Sequence, residues 1–399
     1  MQPLLASDTD VAPERGYLRN RVLLVLVLIA LAGGFGLSFL THAPNRLISG
    51  RPVAWSAILA DGRFLCLLPG LALLIGPFLR QIRTNHILIA LIGAAFAALL
   101  FWLAGDAASR LADPASTSAR TSFGGAFWVI EAITALAIAD ALQRAGFGPA
   151  TRIGISLILV VPIALVLVSG SADQLSIMKE YATRRDVFGA AVVTHIQIVA
   201  MTLVPTLLIG VPLGILAFRR PSLRGPLFAV LNIIQTIPSI ALFGLLIAPL
   251  AGLVATFPVL SQFGISGIGV APAVIALTLY SLLPIVRNTS AGLEQVPGAV
   301  IDAASGMGLT PSQIFRSVEI PLALPVFLAG LRVTIVQAVG LTAVAALIGA
   351  GGLGAIIFQG LGSSALDLVL LGVVPLIALA VIVDASLKLV ISILKGRAA

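Results

Sequence analysis

The chain has 399 residues, 59% of them hydrophobic and only 10% charged, and carries a formal net charge of +8. Soluble domains carry roughly 25% charged residues, so this much apolar surface needs a bilayer as its solvent, which excludes a water-exposed globule. A single cysteine, Cys66, excludes an internal disulfide framework, three histidines leave little for a metal site, and basic residues scattered over short loops rather than along a stripe exclude nucleic acid as a partner.

In chain order, apolar runs of about 18 residues bounded by charged clusters predict ten spans, near 22–41, 64–79, 87–104, 124–142, 153–170, 190–218, 226–252, 271–286, 321–348 and 368–394. The expected fold class is therefore an all-α integral membrane protein with about ten transmembrane helices. The first run follows Arg15, Arg19 and Arg21 and is longer than the 7–15 apolar residues (roughly) of a signal peptide, so it reads as a retained anchor. With the N-terminus placed inside, Lys and Arg of the inward loops outnumber those of the outward loops about twofold, as the positive-inside rule requires. Arg219, Arg220, Arg224, Arg287, Arg316, Lys388, Lys395 and Arg397 fall inward, and Arg46, Arg51, Arg110 and Arg120 outward. The expected location is the bacterial cell (inner) membrane, multi-pass, with both termini cytoplasmic. In the fourth span, Glu131 and Asp140 either carry protons or, the simpler expectation, form structural pairs with Arg144 or Arg152. His42 and His86 fall in loops and His195 at the start of a span, and structural roles are expected for them.

Three regions follow. Residues 1–170 make five spans of an accessory membrane region. Residues 171–189 form a connector whose Leu175, Met178, Tyr181 and Ala182 recur at helical spacing, as in an amphipathic helix on the outer face. Residues 190–399 hold five more spans, richer in Pro and Gly, with a hydrophilic insert at 287–320. The run Gln235-Thr236-Ile237-Pro238-Ser239 interrupts an apolar span, and Pro238 removes a helix hydrogen bond and frees a carbonyl. Polar groups inside a span face an aqueous path or bond a neighbouring helix. Asn232, Gln235, Pro238 and Ser239 are expected along a substrate path, with a hydrogen-bonded kink as the alternative. Thr334, Gln337 and Thr342 repeat the pattern in a later span, where Arg332 either snorkels or pairs with Asp384.

The insert reads as two short helices. The first runs from Gly298 to Met307 after Pro297, and Gly308 suits a left-handed cap. Asp302, toward its start, favours the helix dipole, and Ala303 and Ala304 make it thin enough to sit in a groove of another protein. Thr310 is a fitting N-cap and Pro311 a fitting first helical residue. Ile314, Phe315 and Val318 share a face of the second helix, which is expected to stop before Pro321. Farther on, Gly349, Gly351, Gly352 and Gly354 lack a following Gly-Lys-Ser/Thr, so they suit a tight turn or gate rather than a phosphate loop. With no Walker motif, catalytic cluster or metal-ligand cluster, the chain is not expected to be an enzyme, and no catalytic or metal-binding residue or bound cofactor is expected.

The insert spacing is specific: Asp302-Ala303-Ala304, three residues, Gly308, nine residues, Val318, one residue, Ile320-Pro321. It resembles the coupling (EAA) motif of ABC-importer permeases, which reads Glu-Ala-Ala, Gly, Ile and Leu-Pro at the same spacing. Asp302, Val318 and Ile320 are conservative departures. The stretches GVPLGIL (210–216), NIIQTIPSIALFGLL (232–246), ALTLYSLLPIVRNTSAGL (276–293) and LIGAGGLGAIIFQGL (347–361) are similar to the glycine betaine/choline/osmoprotectant branch. The five extra spans are similar to a longer sub-branch. The resemblance implies a type I permease core carrying a small zwitterionic or quaternary-ammonium osmolyte. It implies a second permease subunit, identical or not, a cytoplasmic ABC ATPase dimer that uses ATP and Mg, a periplasmic or extracellular substrate-binding protein, and membrane lipid around the bundle. Asp302, Ala303, Ala304, Gly308, Pro311, Ile314, Phe315, Val318 and Pro321 are then the ATPase-coupling residues. The alternative is a proton- or sodium-coupled secondary carrier working through Glu131, Asp140 and Asp384.

Overall fold

The computed structural model describes residues 18–45, 48, 50–113 and 118–398, with side chains up to residue 394. Arg15 and Arg46 of the topology argument lie outside the described residues, as do the side chains of Lys395 and Arg397. The chain divides into two compact units, Met1–Leu175 and Ser176–Ala399. The boundary runs through the expected 171–189 connector rather than on either side of it.

In the first unit the described elements are α1 (Arg21–Gly36), β1 (Leu40–Ala43), β2 (Arg51–Pro52), α2 (Trp55–Ile58), α3 (Leu68–Leu73), α4 (Arg83–Leu111), β3 (Arg120–Phe123), α5 (Gly125–Arg144) and α6 (Pro149–Val168). Helix α1 has 16 residues, about 24 Å at 1.5 Å per residue, because Leu40 leaves the expected span to enter strand β1. The expected span 64–79 is a short α-helix between 3₁₀ turns, since Pro69, Gly70, Gly76 and Pro77 interrupt the hydrogen-bond ladder. The strands pair antiparallel in the order β2-β1-β3, with Leu40 opposite Phe123 and Ala43 opposite Arg120. Hydropathy gave no hint of this sheet, because four residues are too few to show a period. Phe39, Trp55, Phe101, Phe123, Phe127 and Trp128 pack ring to ring beside it, with Phe123 and Phe127 stacked at 3.9 Å. The helical core joins Leu23, Ile89, Ala90, Ala94, Ala137, Ala141 and Leu159.

Asp140 forms the expected structural pair with Arg144 at 2.8 Å and also accepts from Asn20 Nδ2 at 3.1 Å. Glu131 does not. Its Oε1 is buried with no hydrogen-bond partner among the described residues. Arg144 is held by Asp140 and Arg152 donates to the Phe147 carbonyl, and Arg144 lies about 20 Å farther along the helix from Glu131. His42 lies in strand β1, not a loop, with Nδ1 2.9 Å from Thr121 Oγ1. His86 is buried in the first turn of α4 rather than in a loop.

The second unit contains α7 (Ser176–Thr183), α8 (Arg185–Arg219), α9 (Pro221–Thr236), α10 (Ser239–Thr256), α11 (Val270–Glu294), α12 (Gly298–Gly306), α13 (Pro311–Ile314), α14 (Ile320–Ala345), α15 (Leu353–Gly362) and α16 (Leu366–Ala398). The apolar face of α7, Ile177 and Tyr181, packs with Phe188 on Leu353, Ile356 and Leu368. Of the expected amphipathic face, Leu175 is buried, Met178 and Tyr181 are half-buried and Ala182 is exposed. Helix α11 is heavily enclosed, gripped by α8, α10 and α14, and its Ala276, Leu277 and Tyr280 pack with Ile198, Phe243 and Ala345 of those neighbours. Small residues let the helices approach. A Cβ on Gly214 would stand 2.5 Å from Thr289 Cβ, and one on Gly330 would stand 2.2 Å from Asn288 Cγ.

Among the described residues, eight helices are long and apolar enough to cross a membrane, and Arg21–Gly36, Arg63–Phe78 and Leu353–Gly362 are shorter apolar helices. The first two of these shorter segments coincide with the first two expected spans. The protein is an all-α membrane protein apart from its small sheet.

Candidate coupling insert and helix break

The insert begins after Glu294, because residues 287–294 still belong to α11. Helix α12 covers Gly298–Gly306 with Met307 as its C-cap. Gly308 takes φ +82°, and the turn closes with two bonds, Leu309 N to Ala304 O at 3.2 Å and Gly308 N to Ser305 O at 2.9 Å. This crossed pair is the Schellman arrangement, which uses up carbonyls that the helix end leaves free. Immediately afterwards Thr310 and Gln313 form a capping box, with Thr310 N donating to Gln313 Oε1 at 2.8 Å and Gln313 N donating to Thr310 Oγ1 at 3.4 Å. Local chemistry therefore fixes the elbow with few contacts to the rest of the chain.

Two details differ from the sequence expectation. Asp302 sits in the fifth position of α12 rather than its first turn, where the dipole is weak. The second helix does not stop before Pro321. Phe315–Glu319 forms a π turn, and the chain then runs on as one continuous helix, Pro311–Ile348. The wider i→i+5 turn, together with the first-turn position of Pro321 in α14, removes the clash that a proline ring makes with a regular preceding turn.

The nine coupling candidates sort into two faces. Asp302, Ala303, Gly308, Pro311 and Pro321 are exposed, and Ala304 and Ile314 are buried. Phe315 and Val318 are half-buried. Phe315 lines a crevice of about 180 Å³ together with Val211, Ile215, Thr289, Leu293 and Phe327. The apolar residues therefore anchor the insert to the bundle, and the Asp302 face together with Met307 is exposed. Sequence reasoning overlooked Met307, and also the pair Arg219–Glu319. Glu319 is 4% exposed, and its Oε2 accepts from Arg219 Nη2 at 2.6 Å. The two residues lie 100 positions apart, so no local pattern joins them.

The polar break near Pro238 separates α9 from α10. Gln235 Nε2 donates to the Tyr280 carbonyl at 2.7 Å, and the Tyr280 hydroxyl donates to the Ile237 carbonyl. These bonds make the hydrogen-bonded kink: Gln235, half-buried, is engaged with α11, and Tyr280, overlooked in the sequence, satisfies a carbonyl at the break. Asn232 and Pro238 are exposed and Ser239 is half-buried. Thr334 and Thr342 are fully buried, and each donates to the carbonyl four residues back, at 3.0 and 2.7 Å. Both expected path residues are therefore enclosed within the helix packing of this structure. Gln337 is half-buried. Arg332 pairs with Asp384 at 3.2 Å, and Lys388 reaches the same carboxylate at 2.6 Å.

The glycine run makes a tight turn between α14 and α15, with Gly349, Gly351 and Gly352 at positive φ. A Cβ on Gly354 would fall 1.9 Å from the Ala343 carbonyl oxygen. The turn holds Gly269 N on the Ile348 carbonyl at 2.7 Å. His195 lies buried within α8 beside it, with Nε2 3.1 Å from the Val339 carbonyl.

Comparison with known proteins gives concordant results. Residues 207–394 match the family described as binding-protein-dependent transport system inner membrane component, and residues 19–178 match the N-terminal domain of ABC transporter permease YehY. The osmoprotectant import permease protein OsmW of Salmonella typhimurium is 43% identical over 190 residues, covering 48% of this chain and 83% of that protein. The glycine betaine/carnitine/choline transport system permease protein OpuCD of Bacillus subtilis is 40% identical over 178 residues, covering 44% and 71%. The choline transport system permease protein OpuBB of the same organism is 37% identical over 190 residues, covering 48% and 80%. Among solved structures, a chain of the MetNI methionine ABC transporter in an inward-facing conformation aligns with a TM-score of 0.46 at 26% identity, covering 53% of this chain and 98% of that one.

Proposed function

The chain belongs to the binding-protein-dependent ABC-importer permeases, non-enzymatic membrane subunits that work with a separate ATPase and a substrate-binding protein, and on that premise we propose that it conducts a small zwitterionic or quaternary-ammonium osmolyte such as glycine betaine or choline. The solute class rests on relatives whose names specify osmoprotectant, glycine betaine, carnitine and choline. The observation that carries the coupling reading is the insert itself. A Schellman turn and a capping box present the Asp302–Ala303 face outward while Ala304 and Ile314 fasten it from behind. An ATPase dimer using ATP and Mg seats on that face from the cytoplasm, which places both termini inside. A second permease subunit completes the path, and Asn232, Ser239 and Gln337 remain its candidates in this chain. A binding protein delivers solute on the opposite side. ATP-driven closure of the ATPases then shifts the insert and rocks the bundle between two states.

Of the three carboxylates of the carrier alternative, Asp140 and Asp384 are committed to ion pairs, and Glu131, buried without a partner for its Oε1 among the described residues, is its one remaining candidate. The test is uptake of labelled glycine betaine and choline into proteoliposomes holding the chain, its ATPase and its binding protein. Uptake is expected to stop when ATP is withdrawn at constant membrane potential. Uptake that survives without ATP and collapses with a protonophore would overturn the proposal.

A further inference from the structure

The π turn at Phe315–Glu319 is the widened stretch between the exposed elbow and the long helix α14. A widened turn is where a push on the elbow would be absorbed as bending. Arg219, the last residue of α8, touches both ends of that turn. Its Nη2 lies 2.6 Å from Oε2 of Glu319, the turn's last residue, and its guanidinium lies 5.1 Å from the ring of Phe315, the first. Phe218 supports the same guanidinium at 5.3 Å. The Glu319 side chain is almost wholly enclosed, and among the described residues Arg219 is the cation that it meets. Arg219 in turn sits in the last turn of α8, where the helix dipole favours a cation. The neighbouring pair Arg224–Glu294 joins α9 to α11 with both side chains well exposed, and exposed pairs hold helices together weakly.

We propose that Arg219 and Glu319 are positioning residues for energy coupling: the arginine staples the π turn shut and ties it to α8. Displacement of the elbow is then delivered to α8 and α14 as one rigid body instead of being lost in the turn. This inference rests on the reading of the insert as the ATPase-coupling element.

Glu319→Gln keeps the side chain's volume and removes its charge. In proteoliposomes with the complete transporter, solute moved per ATP hydrolysed is expected to fall about tenfold, within the usual range of site-to-site coupling. The maximal rate falls while the KM for loaded binding protein stays the same. Arg219→Lys, which keeps the charge but loses the flat stacking on Phe315, is expected to fall between that variant and the parent. The reversed pair, Arg219→Glu with Glu319→Arg, is expected to recover part of the ratio. An unchanged ratio in Glu319→Gln overturns the staple, and so does a reversed pair as poor as the single variants despite normal assembly. A crosslink from Met307→Cys in a Cys66→Ser background to the ATPase separates the two readings. If the crosslink forms and the ratio is unmoved, only the staple fails. If it never forms, the coupling role of the insert fails.

Discussion

Gly308 shows how one residue sets the geometry of the insert proposed to couple to the ATPase. A Cβ there would meet nothing within 4 Å, yet φ is +82°, so the requirement is on the backbone alone. Holding an L residue in that region costs about 1–2 kcal/mol, and a β-branched side chain tolerates it worst, whereas asparagine visits it readily. Gly308→Val is therefore expected to uncouple ATP hydrolysis from transport while the protein still inserts, and Gly308→Asn to stay near the parent. Substrate-stimulated ATPase activity of the two variants, measured with the partner subunits, checks this. Normal stimulation in Gly308→Val would remove the cap from the mechanism. Glu131 makes the opposite point. Its sequence neighbourhood suggests an ion pair with Arg144 or Arg152, but both arginines bond elsewhere, leaving a carboxylate oxygen enclosed without a partner among the described residues.

Among the elements, α11 is the spine of the second unit, and α8 meets it through glycine. A side chain at Gly214 would collide with Thr289 Cβ at 2.5 Å and with the Val286 carbonyl oxygen at 2.9 Å. Backbone cannot step aside as a flexible side chain can, so Gly214→Val is expected to cost about 1–3 kcal/mol through overpacking. Its thermal midpoint in detergent should fall measurably below that of the parent, and an equal midpoint would contradict the close α8–α11 contact. The break between α9 and α10 is an element-level device of another kind. Pro238 breaks the chain inside an apolar span, the Tyr280 hydroxyl of α11 answers the Ile237 carbonyl at the break, and Gln235 beside the break answers the Tyr280 carbonyl on α11. A proline in a span is tolerable when a neighbouring helix supplies the missing bonds.

For the whole chain, each unit has its own buried core, and the elbow, the π turn and the Arg219–Glu319 pair all belong to the second. A chain beginning at Ser176 is accordingly expected to insert and still capture the ATPase. Pull-down from membranes reads this directly, and loss of capture by an inserted, folded second unit would show that the first unit contributes to docking.

The sequence by itself determined the membrane class, because apolar content and run length are one-dimensional quantities. It also determined the elbow, since Gly308, Thr310, Pro311 and Gln313 act on backbone within a few residues. The tertiary structure decided everything that depends on which face a side chain shows. It turned Thr334 and Thr342 into their own helix's carbonyls, committed Gln235 to α11, carried the helix through Pro321 and joined Arg219 to Glu319. The bonds of Gln235 and of Arg219 to Glu319 require helices distant in sequence to be placed side by side, and helical spacing gives a residue's angle on its own helix without saying which neighbour fills that angle.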